Sequence, residues 1–267
     1  MKKFKITHEV PFSLLEDSLN FNDMQYALPH LLESNEVYRN FFLKCKEDGV
    51  EIYLDNSLHE LGASVSDELL LKWINILEPS SFFVPDVWQN RDASVVNARR
   101  WTNIQVPEKT TKVAVIQAQT IHEAFTCVQT YKDLGYKKLA FSYGNELYNE
   151  ICPHPNKDMG KALGRISLIS NLYNQKVLTK YDRVHLLGCA IPGEFSWYDG
   201  IDCIESIDTS NPIMSAFDLI YYQQGTPGLA NKPKSNLNNN VNDEILVLHV
   251  PLLEYNLSEF RNLIPNK

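Results

Sequence analysis

The sequence predicts an α/β protein of the (β/α)8 TIM-barrel class, forming a single domain over residues 1–267. Three observations carry this expectation. Short apolar runs alternate with segments of helical periodicity, which implies parallel strands joined by right-handed crossovers. The runs number eight, which suits a closed barrel. Neither a GxGxxG fingerprint nor a GxxxxGK[ST] phosphate loop is present, which disfavours an open doubly wound sheet. The length, 267 residues, is within the range of one barrel domain.

In chain order the expected strands are Gln25–Leu28, Glu51–Leu54, Ser81–Pro85, Val113–Ala118, Lys138–Tyr143, Arg183–Gly188, Cys203–Ile207 and Glu244–His249. Each is apolar nearly throughout, as strands buried on both faces must be. The expected helices are Asn35–Lys46 after a Ser34 cap, Ser66–Leu77, Thr120–Leu134, Lys157–Tyr173 and Leu257–Leu263. Ser66 and Thr120 are residue types that cap N-termini, and Gly49 and Gly135 suit helix ends. Gly225–Asp243, with two prolines and an Asn run, reads as a long loop.

The net charge of −8 excludes a generally basic nucleic-acid coat but not an enzyme that docks through local basic patches. Candidate patches are Arg99-Arg100, Lys137-Lys138, Lys176 with Lys180 and Arg183, and Lys232 with Lys234. Cys45, Cys127, Cys152, Cys189 and Cys203 are scattered without CxxC spacing, so they read as reduced, buried thiols rather than zinc ligands. The opening Met1-Lys2-Lys3-Phe4-Lys5 leads into mixed sequence, and no apolar run reaches the ~20 residues a membrane span requires. A cytoplasmic protein with no membrane contact is expected.

Barrel chemistry sits at the C-terminal strand ends. Those ends read His30, Asp55, Asp86, Gln117, Tyr143, Gly188-Cys189, Asp208 and His249. One such Asp is ordinary turn chemistry, but three Asp and a Gln at corresponding ends point to a site. Asp202 precedes its strand and is expected at the opposite end. His30 and His249 could join the carboxylates in a metal site, but His30 lacks the His-x-His pattern, so no metal is expected. His59, His122, His154 and His185 read as surface or packing residues.

Four stretches resemble the tRNA-guanine transglycosylase superfamily, in particular its virus-encoded branch that inserts 7-deazaguanine bases into DNA. They are Tyr53-Leu54-Asp55-Asn56-Ser57 with Glu60-Leu61-Gly62, Val84-Pro85-Asp86-Val87, Val115-Ile116-Gln117-Ala118-Gln119-Thr120, and Val184-His185-Leu186-Leu187-Gly188 with Pro192 and Glu194, followed by Ser206-Ile207-Asp208-Thr209-Ser210. Their order spans roughly residues 24–250. The superfamily's three-Cys zinc motif is missing, and Ala118 stands where the family has Gly after the motif Gln. The likeness therefore favours DNA over tRNA.

The resemblance implies exchange of guanine for a 7-deazaguanine such as 7-cyano-7-deazaguanine. Asp208 would be the nucleophile at sugar C1′, and Asp55 would move protons on the leaving and entering bases. Asp86 and Gln117 would read the guanine-like edge, Tyr143 would stack on the base, and Asn56 and Gly188 would line the substrate. Base flipping is implied, with Arg99, Arg100, Lys232 and Lys234 as phosphate contacts. No cofactor is expected, while an accessory protein or an oligomer could complete the docking surface. Two other readings stay open: a metal-dependent barrel hydrolase, and a non-catalytic subunit of the superfamily, which three acids at the mouth disfavour.

Overall fold

The computed structural model of the chain describes residues 3–223 and 229–266. Eight strands form one sheet: Lys5–Thr7 (β1), Gln25–Ala27 (β2), Ile52–Leu54 (β3), Ser81–Phe83 (β4), Thr111–Val115 (β5), Lys138–Ser142 (β6), Arg183–Leu187 (β7) and Ile204–Asp208 (β8). Their order is β1-β8-β7-β6-β5-β4-β3-β2, and the strands are parallel with helices interleaved. This is the expected (β/α)8 class. Among the described residues no helix is long and apolar enough to cross a membrane.

The chain divides into two compact units. The first to be described holds Met24–Phe141 with Asp182–Val184. Helices Glu36–Glu47, Asp67–Leu77, Arg91–Thr102 and Ile121–Asp133 follow successive strands within it. Each starts at a side-chain cap: Asn35 accepts from Tyr38 N, Ser66 from Leu69 N, Asn90 from Ala93 N and Thr120 from Glu123 N. Asn35, not the expected Ser34, caps the first of these. The strands bury Tyr53, Leu54, Phe82 and Phe83 almost completely. Lys138 is also fully buried, its Nζ donating to Tyr53 Oη and lying 3.4 Å from Ser81 Oγ.

The second unit holds Met1–Asp23, Ser142–Tyr181 and His185–Lys267. Here β1 pairs with β8 in register, Thr7 beside Asp208. Helix Leu147–Ile151 crosses helix Lys157–Asn174 at Gly164, where a Cβ would strike the Tyr148 carbonyl. Helices Asn211–Phe217 and Val250–Leu263 pack on each other and join through Asn256, whose side chain bonds Tyr222 N and Ile220 O.

Three expectations are corrected here. Glu244–His249 is not a strand: it runs through irregular backbone and a turn into helix Val250–Leu263, with Leu246, Val247 and Leu248 exposed. Its β-type composition meets no neighbouring strand, and the sheet position it was expected to fill is taken by β1, a three-residue strand of the sequence Lys-Ile-Thr. That helix also starts seven residues ahead of the expected Leu257. Of the expected loop Gly225–Asp243, residues 225–228 lie outside the described ones, and Leu237–Asn240 forms a short helix.

Candidate active site

In the unit of residues 24–141, three expected site residues meet. Asp86 follows β4 through Val84-Pro85 and is 5% exposed. Its Oδ1 accepts from Asn56 Nδ2 and its Oδ2 from Gln117 Nε2, each at 2.7 Å. Asn56 and Gln117 are themselves tied to the backbone. Asn56 Nδ2 also donates to Val84 O and its Oδ1 accepts from Leu58 N, while Gln117 Oε1 accepts from Gln89 N. Burial raises the Asp86 carboxyl to about 6, against the pull of the two amide hydrogen bonds. It is therefore a group that changes charge within a unit of pH 6. Both ends of the Gln117 amide are engaged within the protein.

Asp55 is half-buried, and its Oδ2 accepts from Ser57 N at 3.2 Å. Ser57 has a left-handed backbone (φ 60°) that turns the chain sharply after β3. Its hydroxyl meets His30 Nδ1 at 2.8 Å. His30 is not a strand end: it lies in helix Pro29–Ser34, and half-burial lowers its pKa. A cleft of about 620 Å³ opens beside Asp86, lined by Ser64, Trp88, Asn97 and Arg100 among others. Arg100 pairs with Asp67, which also lines the cleft, and Arg99 is exposed on the same helix.

In the other unit, Asp208 ends β8 and is 4% exposed. His185 Nε2 lies 2.8 Å from its Oδ1, and His185 Nδ1 lies 2.8 Å from Ser206 Oγ. A ring that donates from Nε2 satisfies the carboxylate, and the Ser206 hydroxyl can serve Nδ1 as donor or acceptor. Gly188 N donates to both Asp208 oxygens at 3.3 Å. Oδ1 is thus held by two donors and Oδ2 by one long, shared contact. His185 was expected to be a surface or packing residue and is instead fully buried against the carboxylate. The signal was available: Ser206 and Asp208 share one face of β8, and His185 lies mid-strand in β7 with a ring that needs partners there.

Gly188 owes its position to a buried clamp. Arg165, fully buried in helix Lys157–Asn174, donates to Leu187 O and Gly188 O at 3.0 Å and grips Glu194 through Nε (2.6 Å) and Nη2 (2.9 Å). Tyr198 Oη donates to the same carboxylate at 2.6 Å. Nothing in the sequence marks Arg165, because its partners lie 22 to 29 residues away. Gly188 has φ 61°, and the ring of Tyr143 packs where its Cβ would be. Lys232 Nζ reaches Tyr143 Oη at 2.6 Å and stands 4.6 Å from its ring centre. Lys234 is exposed, its backbone N bonded to Asp218 Oδ2.

Several other groups are placed away from chemistry. Cys189 is pushed up to about 12 by burial, so no thiolate is available beside Asp208 at neutral pH. Asp202 is exposed and pairs with Lys3 at 3.1 Å. His249 does not end a strand: it precedes helix Val250–Leu263 and stacks on Phe217 with ring centres 5.2 Å apart. Among the described residues no group of three His, Cys, Asp or Glu is placed to hold a metal ion.

No family model matches the chain, and a search of the curated proteins returns no match.

Proposed function

We propose that the chain is a nucleic-acid guanine transglycosylase, exchanging guanine for a 7-deazaguanine base in DNA through a covalent intermediate on Asp208. The observation that carries this reading is the setting of Asp208. Its Oδ1 is fixed by His185 and Gly188, while Oδ2 is the less engaged oxygen. A carboxylate so held presents one oxygen in a defined direction, as attack on C1′ requires.

In the first step Oδ2 bonds to C1′ as the bond from C1′ to the base nitrogen breaks, and the electron pair leaves with the base. Asp55 supplies the proton the departing guanine takes up. In the second step the incoming base attacks C1′, gives its proton to Asp55, and releases the Asp208 carboxylate. The positive charge on the sugar at each transition state is met by that carboxylate. His185, donating to Oδ1, keeps the carboxylate oriented in both steps.

Asp86 is the base-reading group in this account, with Asn56 and Gln117 holding its two oxygens in place. Gln117 then acts by fixing Asp86, since its own amide is already engaged. Tyr143 stacks on the base, and Lys232, Lys234, Arg99 and Arg100 supply phosphate contacts to a flipped-out nucleotide. A cytoplasmic setting and a partner that completes DNA docking belong to the same reading.

The test is exchange of labelled guanine and labelled 7-cyano-7-deazaguanine into duplex DNA and tRNA, by wild type and Asp208→Ala. Label in DNA only, absent with the variant, supports the reading. No label in either polymer from folded wild type overturns it.

A further inference from the structure

His30 and Asp55 meet on one residue, Ser57. The Ser57 amide donates to Asp55 Oδ2 at 3.2 Å, and its hydroxyl lies 2.8 Å from His30 Nδ1. Ser57 is fully buried, and among the described residues His30 is the one partner of its hydroxyl. The direction of that bond follows. Were Nδ1 to carry the ring proton, the hydroxyl proton would be buried with no acceptor, which is costly and rare. Ser57 therefore donates to Nδ1, and the neutral ring carries its proton on Nε2. Nε2 itself has no partner among the described residues and is not a buried atom, since the ring is half-buried. β2 and β3 are neighbours in the sheet, so the segments after them, which carry His30 and Asp55, adjoin at its C-terminal edge. A fixed N–H donor open to solvent thus stands beside a half-buried carboxylate, both anchored on Ser57.

We propose that His30 donates from Nε2 to ring nitrogen N3 of the purine-type base whose N9 is served by Asp55. The assignment rests on the transglycosylase reading for the identity of the substrate. N3 is the acceptor nearest N9, and guanine and 7-deazaguanine bases both carry it. As the bond from C1′ to N9 breaks, the electron pair that leaves with the base spreads from N9 through C4 to N3. A donor at N3 therefore binds the transition state more strongly than the bound substrate. If His30 were kept only to accept from Ser57, Nδ1 alone would matter. In that case Nε2 would have no effect on any ligand.

Nitrogen NMR of the His30 ring at pH 7 should find the proton on Nε2, and a proton on Nδ1 would overturn the assignment. Millimolar 2′-deoxyguanosine should shift the Nε2 signal of wild type. The 3-deaza analogue, with C–H in place of N3, should bind about tenfold more weakly, as expected when a donor is left without its acceptor. His30→Gln, which keeps an N–H donor, should hold that preference within about threefold, and His30→Phe should lose it. Equal binding of the two nucleosides by wild type, binding of neither, or a preference that survives in His30→Phe would overturn the assignment. A His30-dependent preference in a folded protein that performs no base exchange would sink the exchange reading and leave the contact standing.

Discussion

Replacing Gly188 by Ala should destabilise the protein by roughly 2 to 5 kcal/mol, from two separable causes. The backbone there has φ 61°, where an L-residue with a Cβ costs roughly 1–2 kcal/mol. The added methyl would also lie 2.8 Å from Tyr143 Cε1 and closer still to Cδ1. Crowding of that kind typically costs about 1–3 kcal/mol. Gly200→Ala supplies the control: its φ is 82°, but nothing lies within 4 Å of the new Cβ, so only the backbone cost applies. Urea unfolding of both variants at equal slope gives the comparison. Gly188→Ala should be the more destabilised, and Tyr143→Ala in the same chain should recover the difference as a non-additive coupling. Equal losses for the two glycines, or no coupling to Tyr143, would refute the packing described at Gly188.

Three further perturbations test the buried polar groups. His8 is lowered from 6.5 to about 4, chiefly by burial, so its neutral form stabilises the fold above pH 6.5 and that stability is lost as pH falls towards 4. The loss reaches about 3 kcal/mol, and NMR titration should find the His8 ring neutral at pH 5.5; titration near 6.5 would contradict this. Asp86 runs the other way: raised from 3.8 to about 6, it favours the fold below pH 3.8 and loses that stability, again about 3 kcal/mol, as pH rises through 6. Asp86→Asn should remove this pH dependence, and stability curves parallel to wild type between pH 4 and 7 would rule it out. Arg165→Met leaves Glu194 buried with Tyr198 Oη still donating to it, and should cost about 3–5 kcal/mol in denaturant unfolding. A loss below about 1 kcal/mol would mean the clamp does not hold the Gly188 turn.

Most of the sheet is legible in the sequence because its strands are short, apolar and buried, and that pattern survives without knowledge of their neighbours. β3, β4 and β7 lie where the apolar runs place them to within two residues. The failures have a common cause. Glu244–His249 has the composition of a strand but no adjacent strand to pair with, whereas Lys-Ile-Thr of β1 has little composition to show and gains its strand from the ladder to β8. Strand formation here is decided by partners far away in the chain. The same holds at the site. Asp86, Asn56 and Gln117 follow strands and could be named from local sequence. Arg165 could not, because what makes it matter is two carbonyls and a carboxylate brought to it by the fold. The contact of His185 with Asp208 is not legible in the sequence, because one residue's burial within a strand says nothing of its partner until β8 is placed beside β7.

The central claim is a covalent bond between Asp208 and the sugar. The most direct test mixes the protein with duplex DNA, denatures it during turnover, and maps any protein–DNA adduct by peptide mass spectrometry. The account predicts an adduct on the peptide carrying Asp208, reversed by added guanine and absent from Asp208→Ala. An adduct on Asp55, or base exchange that continues in Asp208→Ala, would contradict it.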